Sequence, residues 1–473
     1  MDNTSSPNRR PSPKRRKPTK MQIFKEVHLP AIIAGAALIC ILIFIIGSLT
    51  LRSRDRKAAA EASIAASVAQ AEEDTRMKEY VEELLAEAAA SAANYDYDTA
   101  IAVLSNFIGD ATKYPEIQDA IDTYTKTQDN LVPWEDPGKV VNLSLQMLIA
   151  DPLRAFNHNV YQNSFNRNFI TTEEFSAILQ QLYDNGYVLV SMDDIVSCEQ
   201  KENGDMAYSA KTLYLPADKK PLMLTQTNVN YNLYLVDGDG DNVPDKYGCG
   251  FASRLILDDN GEITCEMVDA NGDTVTGSFD LVPILEEFIK KHPDFSYQGA
   301  RAILALTGYN GVFGYRTQVS ADTMGDDDYY EMVTEAENLT AELKRRGYTL
   351  ACYTYENIGY GEKSTTEIQA DLNDWNSEVV PIIGETEILV YAQMSDITTE
   401  LIYSGDKYNL LQSNGFRYYL GFSDDGMPWF SATETCVRQG RIMLTGYNLS
   451  QNPNWFTGIL NPNEVLDATR PAF

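Results

Sequence analysis

A run of aspartates in the middle of the chain has the clearest capacity for chemistry. Its carboxylates stand at positions 1, 3, 5 and 9 of the run, and the backbone carbonyl at position 7 adds a further oxygen: Asp237, Asp239, Asp241, Val243 and Asp245. Calcium prefers such hard oxygen ligands, and a short loop can wrap them around one ion. The spacing therefore predicts a structural calcium site; the alternative is an acidic hairpin tip that water solvates.

The aspartate run resembles the calcium loops of thrombospondin type 3 repeats and, less closely, those of EF-hands. Asn242 stands at position 6, where glycine is usual, and asparagine tolerates the left-handed turn that this position requires. Position 12 is Gly248, so the bidentate glutamate of the EF-hand is missing. The resemblance implies a weak affinity, of the kind found in extracellular modules.

Histidine and cysteine are too few and too scattered for most other metal or nucleophile chemistry. The chain has three histidines, His28, His158 and His292, and six cysteines without a Cys-x-x-Cys spacing. A zinc knuckle or a thioredoxin-type site is therefore not predicted, and the lack of a G-x-S-x-G motif argues against a serine hydrolase. Buried free thiols are expected; a Cys249–Cys265 bridge is the alternative.

Charge separates the N-terminus from the rest of the chain. The whole chain carries 38 basic and 68 acidic residues, a formal net charge of −30, whereas residues 1–28 hold eight lysines and arginines and two acids. So acidic a surface repels a phosphate backbone, which excludes nucleic acid as an expected partner. The proline-containing basic tail at 1–28 is predicted to be disordered, cytoplasmic and close to anionic lipid.

An apolar segment follows the basic tail. Residues 31–51 contain no charged residue, and as a helix they would span about 31 Å, which matches the hydrocarbon core of a bilayer. Basic residues crowd the N-terminal side of the segment, which predicts a cytoplasmic N-terminus and an extracytoplasmic C-terminal domain. The segment 29–51 is therefore assigned as a single-pass signal anchor in the cell membrane. A cleaved signal peptide, which normally has a shorter apolar core, is the alternative.

The remaining chain changes character twice. Residues 52–131 begin rich in alanine and glutamate with helical periodicity, which predicts a helical stalk and hairpin that serves as a spacer or a dimerising element. The stretch 132–138 has the prolines and glycine of a linker. In 139–473, apolar β-type runs alternate with amphipathic stretches, which predicts an α/β domain with a parallel sheet or barrel. Turn signals within 235–280 predict a β-hairpin insertion that carries the aspartate run.

The 139–473 block is similar to the polysaccharide deacetylase family, also called the NodB-homology group or carbohydrate esterase family 4. The likeness lies in four stretches taken in order, 171–190, 306–317, 343–348 and 438–441. More narrowly, the block resembles the membrane-anchored deacetylase-like proteins of bacterial envelopes. The resemblance implies a deformed (β/α) barrel of NodB type with seven or eight strands.

The catalytic motifs of that family are degenerate in this sequence. The family has a T-F-D-D-G turn that supplies a general base and a metal ligand, and an H-[ST]-x-x-H motif that supplies two histidine ligands, usually to zinc. The matching stretches read L-T-Q-T-N-V and Y-T-Y-E-N. They place Thr227 at the base position and Asn228, Tyr353 and Asn357 at the metal-ligand positions. Because hydroxyl, amide and phenol groups are poor zinc ligands at neutral pH, zinc is not expected.

Three functions are compatible with these motifs. The favoured one is a catalytically inactive pseudoenzyme whose former substrate groove binds cell-envelope glycan or an envelope protein, with Asn228, Tyr353, Tyr355 and Asn357 as the contacts. The alternative is an active hydrolase of N-acetyl carbon–nitrogen bonds in a cell-wall polysaccharide, with relocated catalytic groups. In the third, the barrel is a spacer and the stalk with its anchor is the functional part.

Overall fold

The computed structural model describes residues 29–157, 160–241, 243–319, 321–400 and 402–473. The basic tail predicted at 1–28 lies outside these ranges, as do His158 and Asn242. The chain divides into two units, Met1–Glu83 and Leu84–Phe473, and each is described by itself.

The first unit is dominated by one long helix. The helix Leu29–Ala93 begins in this unit, has 65 residues, and contains a segment long and apolar enough to cross a membrane. Its apolar side chains are open to the surroundings; Phe44, for example, is 78% exposed. An exposed apolar surface of this size is unfavourable in water and indicates contact with lipid or with another protein. A membrane anchor and a signal sequence both have this length and composition.

The second unit starts with a small helical hairpin that packs on the barrel. The helices Tyr97–Ser105 and Pro115–Asp129 follow the end of the long helix. Tyr95 and Tyr97 form a buried cluster with Val188, and the Tyr95 hydroxyl donates a hydrogen bond of 2.8 Å to the backbone carbonyl of Asp294. These contacts tie the hairpin to the domain that follows it.

The stretch expected to be a linker contains a short strand. Val132–Trp134 pairs in antiparallel fashion with Leu213–Leu215. Both strands have three residues, so the chain enters the barrel domain already bound to its surface.

Seven parallel strands close into a barrel. In chain order they are β1 (Val141–Leu145), β2 (Lys220–Thr227), β3 (Ile303–Leu306), β4 (Thr349–Cys352), β5 (Ile388–Val390), β6 (Tyr418–Phe422) and β7 (Val437–Met443). Each pairs with the next, and β7 pairs with β1, which closes the ring. Tyr187–Leu189 is a further parallel strand, which pairs with the first residues of β2, 220–222. The predicted alternation of strands and helices in an α/β barrel is confirmed.

Alternation along the strands gives the barrel a partly polar interior. Leu143 belongs to the apolar cluster that contains the helix residues Phe175 and Ile178, so its neighbours Asn142 and Ser144 point to the opposite side, into the barrel. There Asn142 Nδ2 donates a 3.0 Å hydrogen bond to Gln439 Oε1. These buried polar groups are satisfied across strands, as their desolvation requires.

Helices surround the barrel on its outer side. The longer ones are Thr172–Asp184, Leu281–Lys291, Asp326–Arg346 and Thr365–Asp374; shorter ones are Pro152–Ala155, Gln162–Asn168, Met192–Ile195, Ala321–Met324, Val380–Ile383, Asp406–Ser413, Gly446–Gln451 and Pro462–Val465. Thr172–Asp184 begins with a reciprocal capping box between Thr171 and Glu174. Asp326–Arg346 ends at Gly347, whose φ of 101° is the left-handed cap that glycine adopts most easily.

The predicted insertion is a separate antiparallel sheet. It consists of Arg254–Leu257, Ile263–Val268 and Thr274–Gly277, with the middle strand paired to both others. Cys249 and Cys265 lie in or next to this sheet as buried free thiols. The alternative of a bridge between them is therefore wrong.

Candidate functional site

A cavity opens at the carboxyl ends of the barrel strands. Its volume is about 550 Å³. The lining combines amides, hydroxyls and aromatic rings from loops far apart in the sequence: Gln146, Ser164, Arg167, Asn168, Phe169, Asn228, Tyr234, Tyr353, Asn357, Gln393, Met394, Phe422, Ser423, Asp424, Met443, Thr445, Tyr447, Asn448 and Trp455. We call this cavity the barrel mouth. In (β/α) barrels the loops at this end carry the functional groups, because the strands aim their carboxyl ends at one place.

Three of the four degenerate motif positions meet in the barrel mouth. Asn228 directly follows β2, Tyr353 directly follows β4, and Asn357 lies four residues further on; all three line the cavity. Thr227, the last residue of β2, is fully buried beneath them. Its hydroxyl lies 3.3 Å from the carbonyl of Leu145 and within hydrogen-bond reach of Tyr353. The two motifs, separated by more than a hundred residues, therefore face one another.

The backbone around the barrel mouth is locally strained. Asn228, Asn357, Gln393 and Met394 have φ values between 54° and 62°. Asparagine adopts this left-handed region with little cost, whereas it is uncommon for glutamine and methionine. Strained residues persist where the surrounding structure holds them, and they concentrate at functional sites.

The polar groups at the motif positions are neutral hydrogen-bonding groups. Burial raises the pKa of the Tyr353 phenol, and the nearby Arg441 opposes that rise only in part, so the phenol keeps its proton at neutral pH. Asn228 Oδ1 accepts a hydrogen bond of 3.3 Å from Thr307. Asn357 Oδ1 is buried and lacks a hydrogen-bond partner in the described part of the chain. An unpaired buried acceptor is costly, which indicates that a donor from outside the chain would be favoured there.

Tyr355 lies apart from this group, although it is only two residues from Tyr353. It is buried and does not line the barrel mouth. Its backbone N–H donates a 2.8 Å hydrogen bond to Asp371, and its hydroxyl donates to Glu378. The ring packs so closely on Gly308 that a Cβ there would lie 2.2 Å from it. These contacts make Tyr355 a packing residue of the β4 loop.

The aspartate run forms a compact loop with its carboxylates drawn together. One carboxylate oxygen from each of Asp237, Asp239 and Asp241 lies within 4.8 Å of the others. Asp245 holds the base of the loop by accepting a 2.7 Å hydrogen bond from the Gly238 N–H. The N–H of Asp241 lowers the pKa of Asp239, but the carboxylates of Asp241, Asp245 and Asp237 act against this and raise it overall. Val243 is exposed at the tip. This set of hard, mutually repelling oxygens fits a divalent cation such as calcium.

The motif comparison did not predict several of the residues that line the mouth. Gln393 and Ser423 follow β5 and β6 closely, so their position just after predicted strands was a usable signal. Tyr447 and Trp455 come from the C-terminal helical segment, and Arg167 stacks 3.7 Å above the Tyr447 ring. No local pattern marks Tyr447, Trp455 or Arg167, because only the closed barrel brings their two separate segments to the mouth.

Comparisons with known proteins add little to this geometry. No family model matches the chain, and no curated protein matches it. Among solved structures the chain is similar to "Streptococcus pyogenes deacetylase PplD in complex with acetate", with 14% identity and a TM-score of 0.34 over 70% of this chain and 100% of that one. A TM-score this low carries no argument. The barrel is established by its strand pairing alone.

Proposed function

We propose that this chain is a membrane-anchored, extracytoplasmic polysaccharide deacetylase-like protein of NodB type that binds cell-envelope glycan in the barrel mouth without hydrolysing it. One observation carries the proposal. Asn228, Tyr353 and Asn357 share one cavity, and each offers a neutral hydrogen-bonding group where hydrolysis would need a base or a metal ligand. In this proposal the groove of an enzyme is kept as a binding site and its chemistry is lost.

The lining of the barrel mouth supports a sugar ligand. Sugar rings have polar edges that hydrogen-bond to amides and hydroxyls, and they have apolar faces that pack on aromatic rings. Tyr234, Tyr447 and Trp455 supply aromatic surface, and Asn357 Oδ1, which has no partner among the described residues, is an acceptor for a hydroxyl or amide donor. Pockets that combine apolar walls with a few placed polar groups are typical ligand sites.

Retention on insoluble peptidoglycan tests the proposal. The full chain in detergent should be retained, and Tyr353→Ala should weaken retention about tenfold by removing an aromatic contact and a hydroxyl. Tyr330→Ala is the matched control, because Tyr330 is 64% exposed on the helix Asp326–Arg346 and does not line the mouth. Equal retention of wild type and Tyr353→Ala would overturn the proposal. So would release of acetate from acetylated chitooligosaccharide, which would support the active hydrolase.

We further propose that the aspartate loop binds calcium in a structural role. The proposal rests on the 4.8 Å grouping of the carboxylates of Asp237, Asp239 and Asp241. Neutralising their repulsion would stabilise the loop and the strands that flank it. Zinc has no part in the proposed function.

A further inference from the structure

Arg441 is a buried cation in the interior of the barrel. It lies on β7 and is only 1% exposed. Its guanidinium donates hydrogen bonds to the carbonyl of Gly421 at 2.8 Å, to Ser144 Oγ at 2.9 Å and to the carbonyl of Tyr391 at 3.0 Å. All three acceptors are neutral, so these bonds hold the side chain in place without balancing its charge.

The guanidinium lies one layer below the floor of the barrel mouth. Side chains two residues apart on a strand point to the same side and are separated by about 7 Å. Met443 is two residues beyond Arg441 on β7, and Gln146 is two residues beyond its partner Ser144; both line the mouth. Tyr353, which also lines the mouth, is close enough for its ionisation to couple to Arg441.

No carboxylate compensates this charge in the described ranges of the chain, where the salt bridges involve other arginines and lysines. Burial lowers the pKa of Arg441 to about 10, with Tyr353 acting in the opposite direction. The side chain therefore remains protonated at neutral pH. Buried cations normally have a paired anion, because desolvation without one is costly.

The charges at the rim of the mouth roughly cancel. Arg167 and Asp424 are the charged residues of the lining, and both are exposed. Water and salt screen exposed charges within about 10 Å, whereas a charge in the barrel interior acts through a medium of low dielectric. Arg441 therefore contributes a positive potential at the floor of the mouth.

We propose that the barrel mouth selects glycans that carry a carboxylate, and that Arg441 is the residue that determines this specificity. The inference rests on the proposed glycan-binding function. The acid group of the sugar would sit at the floor and supply the missing counter-charge, while Tyr353 and Asn357 hydrogen-bond to the sugar around it. Interactions of this kind favour a charged ligand over an isosteric neutral one.

A pair of probes that differ only in charge tests the inference. The full chain in detergent is titrated calorimetrically with hyaluronan tetrasaccharide, which alternates N-acetylglucosamine and glucuronic acid, and with its carboxyl-reduced derivative. The acidic probe should bind about tenfold more tightly. Equal affinities would overturn the carboxylate preference and leave glycan binding intact. Binding of neither probe, together with no retention on peptidoglycan, would overturn the proposed function as well.

Variants then assign the preference to one arginine. Arg441→Met should bind both probes equally, and Arg441→Lys should keep a preference for the acidic one. Arg167→Gln, which removes a rim charge, should leave the ratio of affinities unchanged. If Arg167→Gln abolished the preference, the rim would be responsible and the role of Arg441 would be refuted. The comparison of the two probes on the wild type decides the carboxylate preference even if a variant at the buried position does not fold.

Discussion

The aspartate loop and the barrel mouth, which belong to the same unit of the chain, have opposite electrostatic character. The loop gathers carboxylates at the surface, where Asp239 and Asp241 are exposed and a cation can approach from solvent. The lining of the mouth is mostly amides, hydroxyls and aromatic rings, with one exposed cation and one exposed anion, Arg167 and Asp424, and the buried Arg441 lies beneath it. Oxygen atoms alone therefore do not define a metal site. Ionised carboxylates attract a cation, whereas neutral amides and phenols favour a neutral or anionic ligand.

The two regions also differ in how they are assembled. Nine consecutive residues supply the whole loop, so its geometry depends on local turns such as the hydrogen bond from the Val243 N–H to Asp241 Oδ1 at 2.8 Å. The mouth takes residues from several strand ends, and its geometry depends on closure of the barrel. Mutations should therefore act locally in the loop and cooperatively in the mouth.

The largest expected effect is the loss of calcium binding when loop carboxylates are removed. Isothermal titration of the full chain with calcium should give a dissociation constant on the order of 0.1–1 mM. Asp239→Ala combined with Asp241→Ala should abolish the signal, because both side chains offer ligand oxygens from exposed positions. Asp269→Ala combined with Asp273→Ala removes the same charge from another turn of the insertion and should leave binding unchanged. No heat in the wild type at millimolar calcium would refute the site.

A smaller effect is expected for a buried carboxylate at the start of the helix Leu281–Lys291. Asp280 is fully buried, accepts hydrogen bonds from Gln226 and Tyr231, and has a pKa that burial raises to about 6. As pH falls from 6 to 4, the folded chain binds a proton that the unfolded chain does not. The contribution of Asp280 to the free energy of unfolding therefore grows as the pH falls, by up to about 3 kcal/mol.

Asp280→Asn should remove this pH dependence. Urea unfolding at pH 7 and pH 4.5 gives the free energies of unfolding of the wild type and the variant. The free energy of unfolding of the wild type, relative to that of the variant, should be larger at pH 4.5 than at pH 7. The Gln226 Oε1 atom lacks a partner in the described part of the chain, so an amide at 280 has an acceptor available to it. Asp258→Asn is the control, since hydrogen bonds lower the pKa of Asp258. Parallel profiles for wild type and Asp280→Asn would contradict the prediction.

The smallest effect separates the neighbouring tyrosines of the β4 loop. Tyr355→Phe keeps the ring that packs on Gly308 and removes the hydroxyl that donates to Glu378. Thermal unfolding should show a loss of about 1 kcal/mol, and retention on peptidoglycan should match the wild type. A Tyr355→Phe variant that loses retention as strongly as Tyr353→Ala would place Tyr355 in the binding site after all.

The strand and helix pattern was largely accessible from the sequence. The runs at 141–145 and 418–422 are short and rich in apolar residues, and the 172–184 helix has a capping box and an amphipathic period, so local signals agree with the final structure. Val132–Trp134 was missed as a strand because proline and glycine around it are turn signals. Its partner, Leu213–Leu215, lies about 80 residues away, and no local pattern announces such a pairing.

Only part of the candidate site could be predicted from the sequence. Motif spacing predicts Tyr353 and Tyr355 equally as ligand contacts, since both follow β4 and both side chains can contact a sugar. Side-chain direction separates them: Tyr353 faces the mouth, whereas Tyr355 packs against Gly308, and its backbone N–H donates to Asp371 on the helix Thr365–Asp374. That direction depends on the φ of 62° at the intervening Thr354, a conformation that sequence does not specify for threonine.

By itself the sequence determined the apolar N-terminal segment, the aspartate loop, the α/β alternation and the absence of ionised groups at the four motif positions. These properties depend on residue types over short distances, where composition and spacing are enough. The tertiary structure alone decided that Arg441 lies beneath Tyr353 and that the C-terminal aromatic residues reach the mouth. Residues hundreds of positions apart meet only when β7 pairs with β1, because barrel closure, and no local preference, sets those distances.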